Sequence, residues 1–294
     1  MIRFILFVLA LAVLPVAAFA DLTQATLSHD GVERTYRLFT PRGAAAGPAM
    51  PLVVVLHGGG GSSREVIYST RARFNELAER DGFLVLYPDA IGHLWDTGSG
   101  QISDNLNPRR DDDGFIRAAI EAVARQHRVD RSRIFLTGVS RGGMESYAFG
   151  CAHPDLIRAI APVAMPLPEA SASVCARGSA LGFLLIHGTA DPYVPYGGGP
   201  INLGRRDRDR VISAPRSYET FLRRNGCAGD EVAQRGDVAV REAQGCVAPT
   251  GFASVGGGGH GWPGGRKALP GGRAGPVNMD ISAPDLIWEF FRQF

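Results

Sequence analysis

Five short runs of apolar residues constrain this chain more than anything else in it: PLVVVLH (51–57), FLVLY (83–87), RIFLTG (133–138), AIAPVA (159–164) and GFLLIHG (182–188). None shows the polar alternation of a half-exposed strand, so each reads as a strand buried on both faces. Stretches with helical spacing separate them. Arg64 to Arg80 carries Ile67, Phe74, Leu77 and Ala78 on one stripe and predicts a single helix. DDDGFIRAAIEAVARQH (111–127) predicts another, with aspartates at its start where free backbone N–H groups need acceptors. A helix follows Ser140. Ser213 and Pro215 open a further one that Asn225-Gly226 closes, and an amphipathic helix ends the chain at 283–294. Strands alternating with helices require right-handed crossovers and a mostly parallel sheet covered on both faces, with ligands at the C-terminal strand ends. Before this alternation, residues 24–40 alternate apolar and polar around Asp30-Gly31 and predict a hairpin. DVAVRE (237–242) and GFASVGG (251–257) add two further short strands.

The first twenty residues stand apart. Arg3, an apolar run from Phe4 to Leu14 and the small-x-small end Ala18-Phe19-Ala20 make a secretory signal peptide, too short between its flanks for a membrane span. The expectation is a protein secreted or delivered to the periplasm, with residues 21–294 as one catalytic domain and no membrane association after cleavage. Net charge is +2, and basic residues are interleaved with acids, as in RRDRDR (205–210), which argues against a nucleic-acid partner. Four cysteines in an exported chain suggest two disulfides, for which three pairings exist. Cys227 and Cys246 bracket the DVAVRE strand and are the favoured pair, leaving Cys151 with Cys175.

Chemistry concentrates at the strand ends. Gly138-Val139-Ser140-Arg141-Gly142 lies where a buried strand gives way to a helix. A G-x-S-x-G turn there is so tight that side chains beside the serine would collide with neighbouring backbone. The turn exposes the serine hydroxyl and aims the next backbone N–H at a developing anion. His57-Gly58-Gly59-Gly60-Gly61, just after an earlier strand, has the form of a loop that supplies a second oxyanion donor. Gly59 is favoured and Gly60 is nearly as good, while the missing Lys-Ser/Thr rules out a phosphate loop. Asp191 lies beyond the 182–188 strand, and His260 is the one histidine downstream of it. Nucleophile, acid and base in the order Ser140, Asp191, His260 match the α/β-hydrolase order and differ from those of the two protease folds with the same triad. The aspartates Asp111-Asp112-Asp113, with no histidine near them in sequence, read as a helix cap rather than a metal site.

The chain resembles secreted α/β-hydrolases of the feruloyl esterase, acetylxylan esterase and polyhydroxybutyrate depolymerase-like group. The resemblance rests on VVLHGGGG, LVLYPDAIGHLWD, DDDGFI, LTGVSRGGM, IHGTADPYVPY, NGC and GHGWPGG, which occur in the family's order from about Val53 to Trp288. It implies an α/β-hydrolase fold and a serine esterase with Ser140, Asp191 and His260 as its triad, with neither cofactor nor metal. Its partner would be a small or oligomeric ester: a feruloyl or acetyl polysaccharide ester, or a 3-hydroxybutyrate oligomer. Two positions depart from the family's usual pattern, Ala90 after Tyr-Pro-Asp and Gly261 between His260 and Trp262, and both bear on substrate choice. Tyr87, Trp95 and Trp262 are candidate walls of the substrate pocket. The competing readings are a non-catalytic binding protein on the same scaffold and a peptidase of the same fold. Acyl and alcohol groups, polymer versus oligomer, and oligomeric state do not follow from the sequence.

Overall fold

The structure is a computed structural model that describes residues 20–45, 47–97, 110–202, 209–266 and 273–294; apart from Ala20, the expected signal peptide lies outside them. The expected hairpin forms β1 (Asp21–His29) and β2 (Val32–Thr40), turning at Asp30-Gly31. The five apolar runs become β3 (Met50–Leu56), β4 (Leu84–Pro88), β5 (Val129–Val139), β6 (Ala159–Val163) and β7 (Gly182–Gly188). A two-stranded ribbon pairs β8 (Gly199–Pro200) with β9 (Arg210–Val211). β10 (Gly229–Arg235), β11 (Val238–Gln244) and β12 (Thr250–Val255) complete the main sheet. Its ten strands run in the order β1-β2-β4-β3-β5-β6-β7-β12-β11-β10. The six from β4 to β12 are parallel, and an antiparallel hairpin flanks them on each side.

Helices cover both faces: α1 (Ser63–Ser69), α2 (Arg73–Asp81), α3 (Asp112–Gln126), α4 (Arg141–Ala152), α5 (Glu169–Cys175), α6 (Ala214–Arg224) and α7 (Ala283–Phe291). Side chains alternate along each strand, so two cores form. Leu52, Val54 and Leu56 of β3 pack with Phe115, Tyr147 and Phe221 from α3, α4 and α6. Val53 and Val55 face the other way, towards Phe74 of α2 and Ile287 and Phe291 of α7. This is the mostly parallel sheet covered on both faces that the apolar runs imply, and the α/β-hydrolase fold that the resemblance implies.

Besides the β8–β9 ribbon, which the sequence does not signal, four local features differ from the sequence reading. The helix expected over 64–80 is two, because Arg71 and Ala72 take left-handed backbone angles (φ 56° and 55°). Ser62 caps the first by accepting from the Glu65 N–H. α5 and β10 were not anticipated: α5 is a short run of small residues, and every residue of β10 is exposed, so neither carries an apolar signature. Asp111 does cap α3, accepting from the Gly114 N–H at 2.7 Å, but the fold also brings histidines to the triplet. His29 lies 2.9 Å from Asp111, and His153 lies 2.7 Å from Asp113. Asp112 is buried and pairs with Arg34 of β2, fastening the hairpin to α3. Both disulfides, Cys151–Cys175 and Cys227–Cys246, join the favoured partners.

Candidate active site

The glycines around Ser140 are explained by how closely α4 approaches the sheet. A Cβ on Gly142 would lie 2.5 Å from the His57 carbonyl oxygen and 2.6 Å from that of Leu56. A Cβ on Gly138 would lie 2.5 Å from the Gly142 backbone. Both positions therefore exclude any side chain, because the atoms they would strike are backbone fixed in the sheet or the elbow. Ser140 sits at the turn with φ 56° and ψ −119°, a conformation that costs a non-glycine residue of the order of 1–3 kcal/mol. Its N–H donates to the Val163 carbonyl (2.9 Å), and its carbonyl accepts from the Met144 N–H (2.9 Å). The strained turn is thereby held by β6 on one side and α4 on the other. Arg141 is the first residue of α4, so its N–H has no partner within the helix and points out of the N-terminus.

The glycine loop after β3 packs against this elbow. A Cβ on Gly58 would be 3.7 Å from the Ser140 Cβ, and one on Gly59 would be 3.7 Å from the Arg141 Cβ. The Gly60 N–H donates to the His93 carbonyl (2.8 Å) and the Gly61 N–H to that of Gly58 (3.0 Å), so both are engaged within the loop. His57 sets the loop's shape. Its Nε2 accepts from the Ala90 N–H (3.0 Å), which requires a neutral ring carrying its proton on Nδ1, where it donates to the Gly58 carbonyl (2.8 Å). Burial holds the imidazole below its usual pKa and keeps it in that form. Ala90, the departure from the usual family glycine, contributes to this contact through its backbone alone.

β5, β7 and β12 run parallel, so Ser140, Asp191 and His260 all leave the same edge of the sheet. β7 and β12 are adjacent, and only β6 lies between β5 and β7. The two loops beyond β7 and β12 are clipped together: Ala190 N–H donates to the Gly258 carbonyl (3.0 Å), and Gly257 N–H to the Thr189 hydroxyl (2.9 Å). His260 Nδ1 donates to Asp191 Oδ2 at 2.7 Å, while Asp191 Oδ1 accepts from the Tyr193 and Val194 N–H groups, each at 2.9 Å. Burial opposes ionisation of Asp191, yet the bonds from His260 and Val194 outweigh it and hold the carboxyl below the usual range. A carboxylate that is buried, charged and bonded on both oxygens fixes both the tautomer and the orientation of the imidazole. Tyr193 meets the His260 ring edge-on at 5.3 Å.

All three expected pocket walls are buried. Tyr87 is fully buried beneath the sheet edge, and its hydroxyl donates to Asn75 (2.6 Å). Trp95 is 1% exposed; its indole N–H donates to the His57 carbonyl (2.8 Å), and its own carbonyl accepts from Arg141 Nε (2.9 Å). Trp95 thus pins the glycine loop to the elbow. Trp262 is also buried, packed edge-on against Phe74 at 5.9 Å, and anchors the histidine loop to α2. Large aromatic side chains near catalytic motifs are as useful for fixing loops as for lining pockets, and the sequence does not separate the two uses.

Glu145 of α4 has no signal in the sequence. It is buried beneath the elbow, and its Oε2 has no hydrogen-bond partner among the described residues. Burial, reinforced by Asp112, Asp113 and Asp96, pushes its carboxyl well above the usual range, while Arg141 acts in the other direction. The folded protein therefore holds a proton that the unfolded chain releases once pH passes the ordinary glutamate value, so stability falls as pH rises from there towards the raised folded value. Glu145→Gln removes that dependence. Its melting temperature relative to wild type should be higher at pH 8 than at pH 5, by roughly 3 °C or more. An equal shift at the two pH values would show that Glu145 is not buried as the neutral acid.

The chain matches the family described as "Esterase PHB depolymerase" over residues 34–244. It is 30% identical over 279 residues to "Putative esterase NocK" of Nocardia uniformis subsp. tsuyamanensis, covering 88% of this chain and 79% of that one. Feruloyl esterase C of Emericella nidulans is 29% identical over 266 residues, covering 88% and 83%. Among solved structures, acetyl xylan esterase from Aspergillus awamori superposes with a TM-score of 0.61, covering 92% of this chain and 99% of that one at 18% identity, a likeness of fold.

Proposed function

The chain belongs to the polyhydroxybutyrate depolymerase esterase family and is a carboxylic ester hydrolase, and from that premise we propose that it works by two-step acyl transfer through Ser140, His260 and Asp191. The observation that carries this reading is the His260–Asp191 hydrogen bond, on the sheet edge where the strained elbow presents Ser140. His260 Nε2, left free by the bond at Nδ1, takes the proton of Ser140 as its oxygen attacks the ester carbonyl. The carbonyl oxygen gathers negative charge between the Arg141 and Gly59 N–H groups, a stabilisation of roughly 3–4 kcal/mol per donor. His260 then passes the proton to the departing alcohol. Water, deprotonated by the same ring, releases the acid and restores the serine. Asp191 stays ionised throughout and stabilises the imidazolium that forms twice per cycle.

Feruloyl or acetyl esters of plant polysaccharide, or 3-hydroxybutyrate oligomers, are the proposed substrates, following the relatives' names and the family's own. Export is proposed on the residues 1–20 pattern and on two disulfides, which persist in oxidising compartments. Turnover of methyl ferulate, an acetylated xylo-oligosaccharide and a soluble 3-hydroxybutyrate oligomer separates these classes. One of them should give a kcat/KM at least about 10²-fold above the others, because a pocket shaped for one acyl group loses binding energy with the rest. Failure on all three, with an activated acetate ester still cleaved, would refute the substrate proposal while leaving the hydrolase intact.

A further inference from the structure

A second histidine faces the proposed catalytic aspartate. His187, on β7, has its Nδ1 at 4.0 Å from Asp191 Oδ2, the oxygen that accepts from His260, and both side chains are fully buried. His187 Nε2 lies 3.1 Å from the Val194 carbonyl. A carbonyl can only accept, so the ring's proton is on Nε2, and Nδ1 is a bare lone pair with no hydrogen-bond partner among the described residues. The ring is held in place. Tyr196 stacks over it at 6.0 Å and 15°, and the Tyr196 hydroxyl is bonded to Ser254 of β12, the residue paired with His187 across the sheet. Val194 is gripped from both ends, its carbonyl by His187 and its N–H by Asp191 Oδ1.

We infer that His187 is a positioning residue for Asp191: its Nε2–H braces the loop that presents the carboxylate, and its bare Nδ1 denies Asp191 Oδ2 any donor other than His260. The inference rests on the triad reading above. A donor at the Nδ1 position would share Oδ2, weaken the bond that orients His260, and draw off charge that should stabilise the imidazolium. An acceptor there leaves Oδ2 no second partner. Burial drives the ring's own pKa down to about 4, against the pull of Asp191 and with the help of His260, so Nδ1 stays bare in neutral solution.

Two amide substitutions separate the brace from the bare lone pair. In His187→Gln the longer side chain can place its amide N–H where Nε2 was and bonds the Val194 carbonyl. In His187→Asn the shorter one places an amide N–H where Nδ1 was, against Asp191 Oδ2. His187→Asn should lose about 10²-fold in kcat with KM nearly unchanged, and His187→Gln less than about tenfold. In proton NMR at pH 7, the low-field resonance of the His260 Nδ1–H should move upfield in His187→Asn and stay near its wild-type position in His187→Gln. Equal kcat losses in the two variants, or an unmoved resonance in His187→Asn, would overturn the inference. If His187→Asn fails to fold, His187→Gln alone decides, since a loss of 10² or more with an intact melting temperature contradicts the assigned roles. His260→Ala is the separate control: full activity there would sink the triad reading itself.

Discussion

Gly142→Ala should leave little soluble, folded protein, with a loss above about 3 kcal/mol for whatever folds, even though alanine for glycine in a helix normally gains about 1 kcal/mol. The reversal comes from where the added methyl would go. It would meet the His57 and Leu56 carbonyl oxygens at 2.5 and 2.6 Å, and Leu56 is a β3 residue registered against Gly138 of β5. Neither oxygen can move without breaking the sheet, so α4 would have to lift, carrying Ser140 with it. Gly31→Ala is the contrast. Gly31 has φ 73° and nothing within 4 Å of its Cβ position, so the cost there is backbone strain alone, about 1 kcal/mol. Urea unfolding of the two variants measures the difference. A Gly142→Ala protein as stable as Gly31→Ala would mean that α4 does not approach β3 this closely.

Ser140→Ala should do the opposite: a fold kept to within about 1 kcal/mol and a kcat lowered by about 10⁵-fold or more. Alanine fills the same volume at the same strained angles, so packing is unchanged and only the nucleophile is lost. His260→Ala should fall nearly as far. The double variant should be no worse than either single one, because the groups act as a unit and either loss removes the covalent route. Activity that dropped additively would point to two independent contributions and away from a shared proton-transfer step.

Much of this was legible in the sequence because the determinants are local. An apolar run such as PLVVVLH has few alternatives to a buried strand, and a serine between glycines at such a strand's end has few alternatives to an elbow. The order Ser140, Asp191, His260 needed only the chain direction. The parts not legible depend on contacts made at a distance. Trp95 and Trp262 anchor loops through His57 and Phe74, far from them in sequence. Glu145 looks like an ordinary helix acid until Asp112 is folded against it, and His187 like a strand histidine until the turn after β7 brings Asp191, only four residues on, back against it. The break between α1 and α2 rests on left-handed angles at Arg71 and Ala72, residue types that announce no turn.

The most direct test of the central claim is to treat the native protein with a fluorophosphonate that reacts only with activated serines, digest it, and locate the adduct by mass spectrometry. One adduct per chain, on Ser140, formed at a rate that collapses in His260→Ala, is the expected result. An adduct on another serine, or undiminished labelling of Ser140→Ala, would contradict the assignment of Ser140 as the nucleophile.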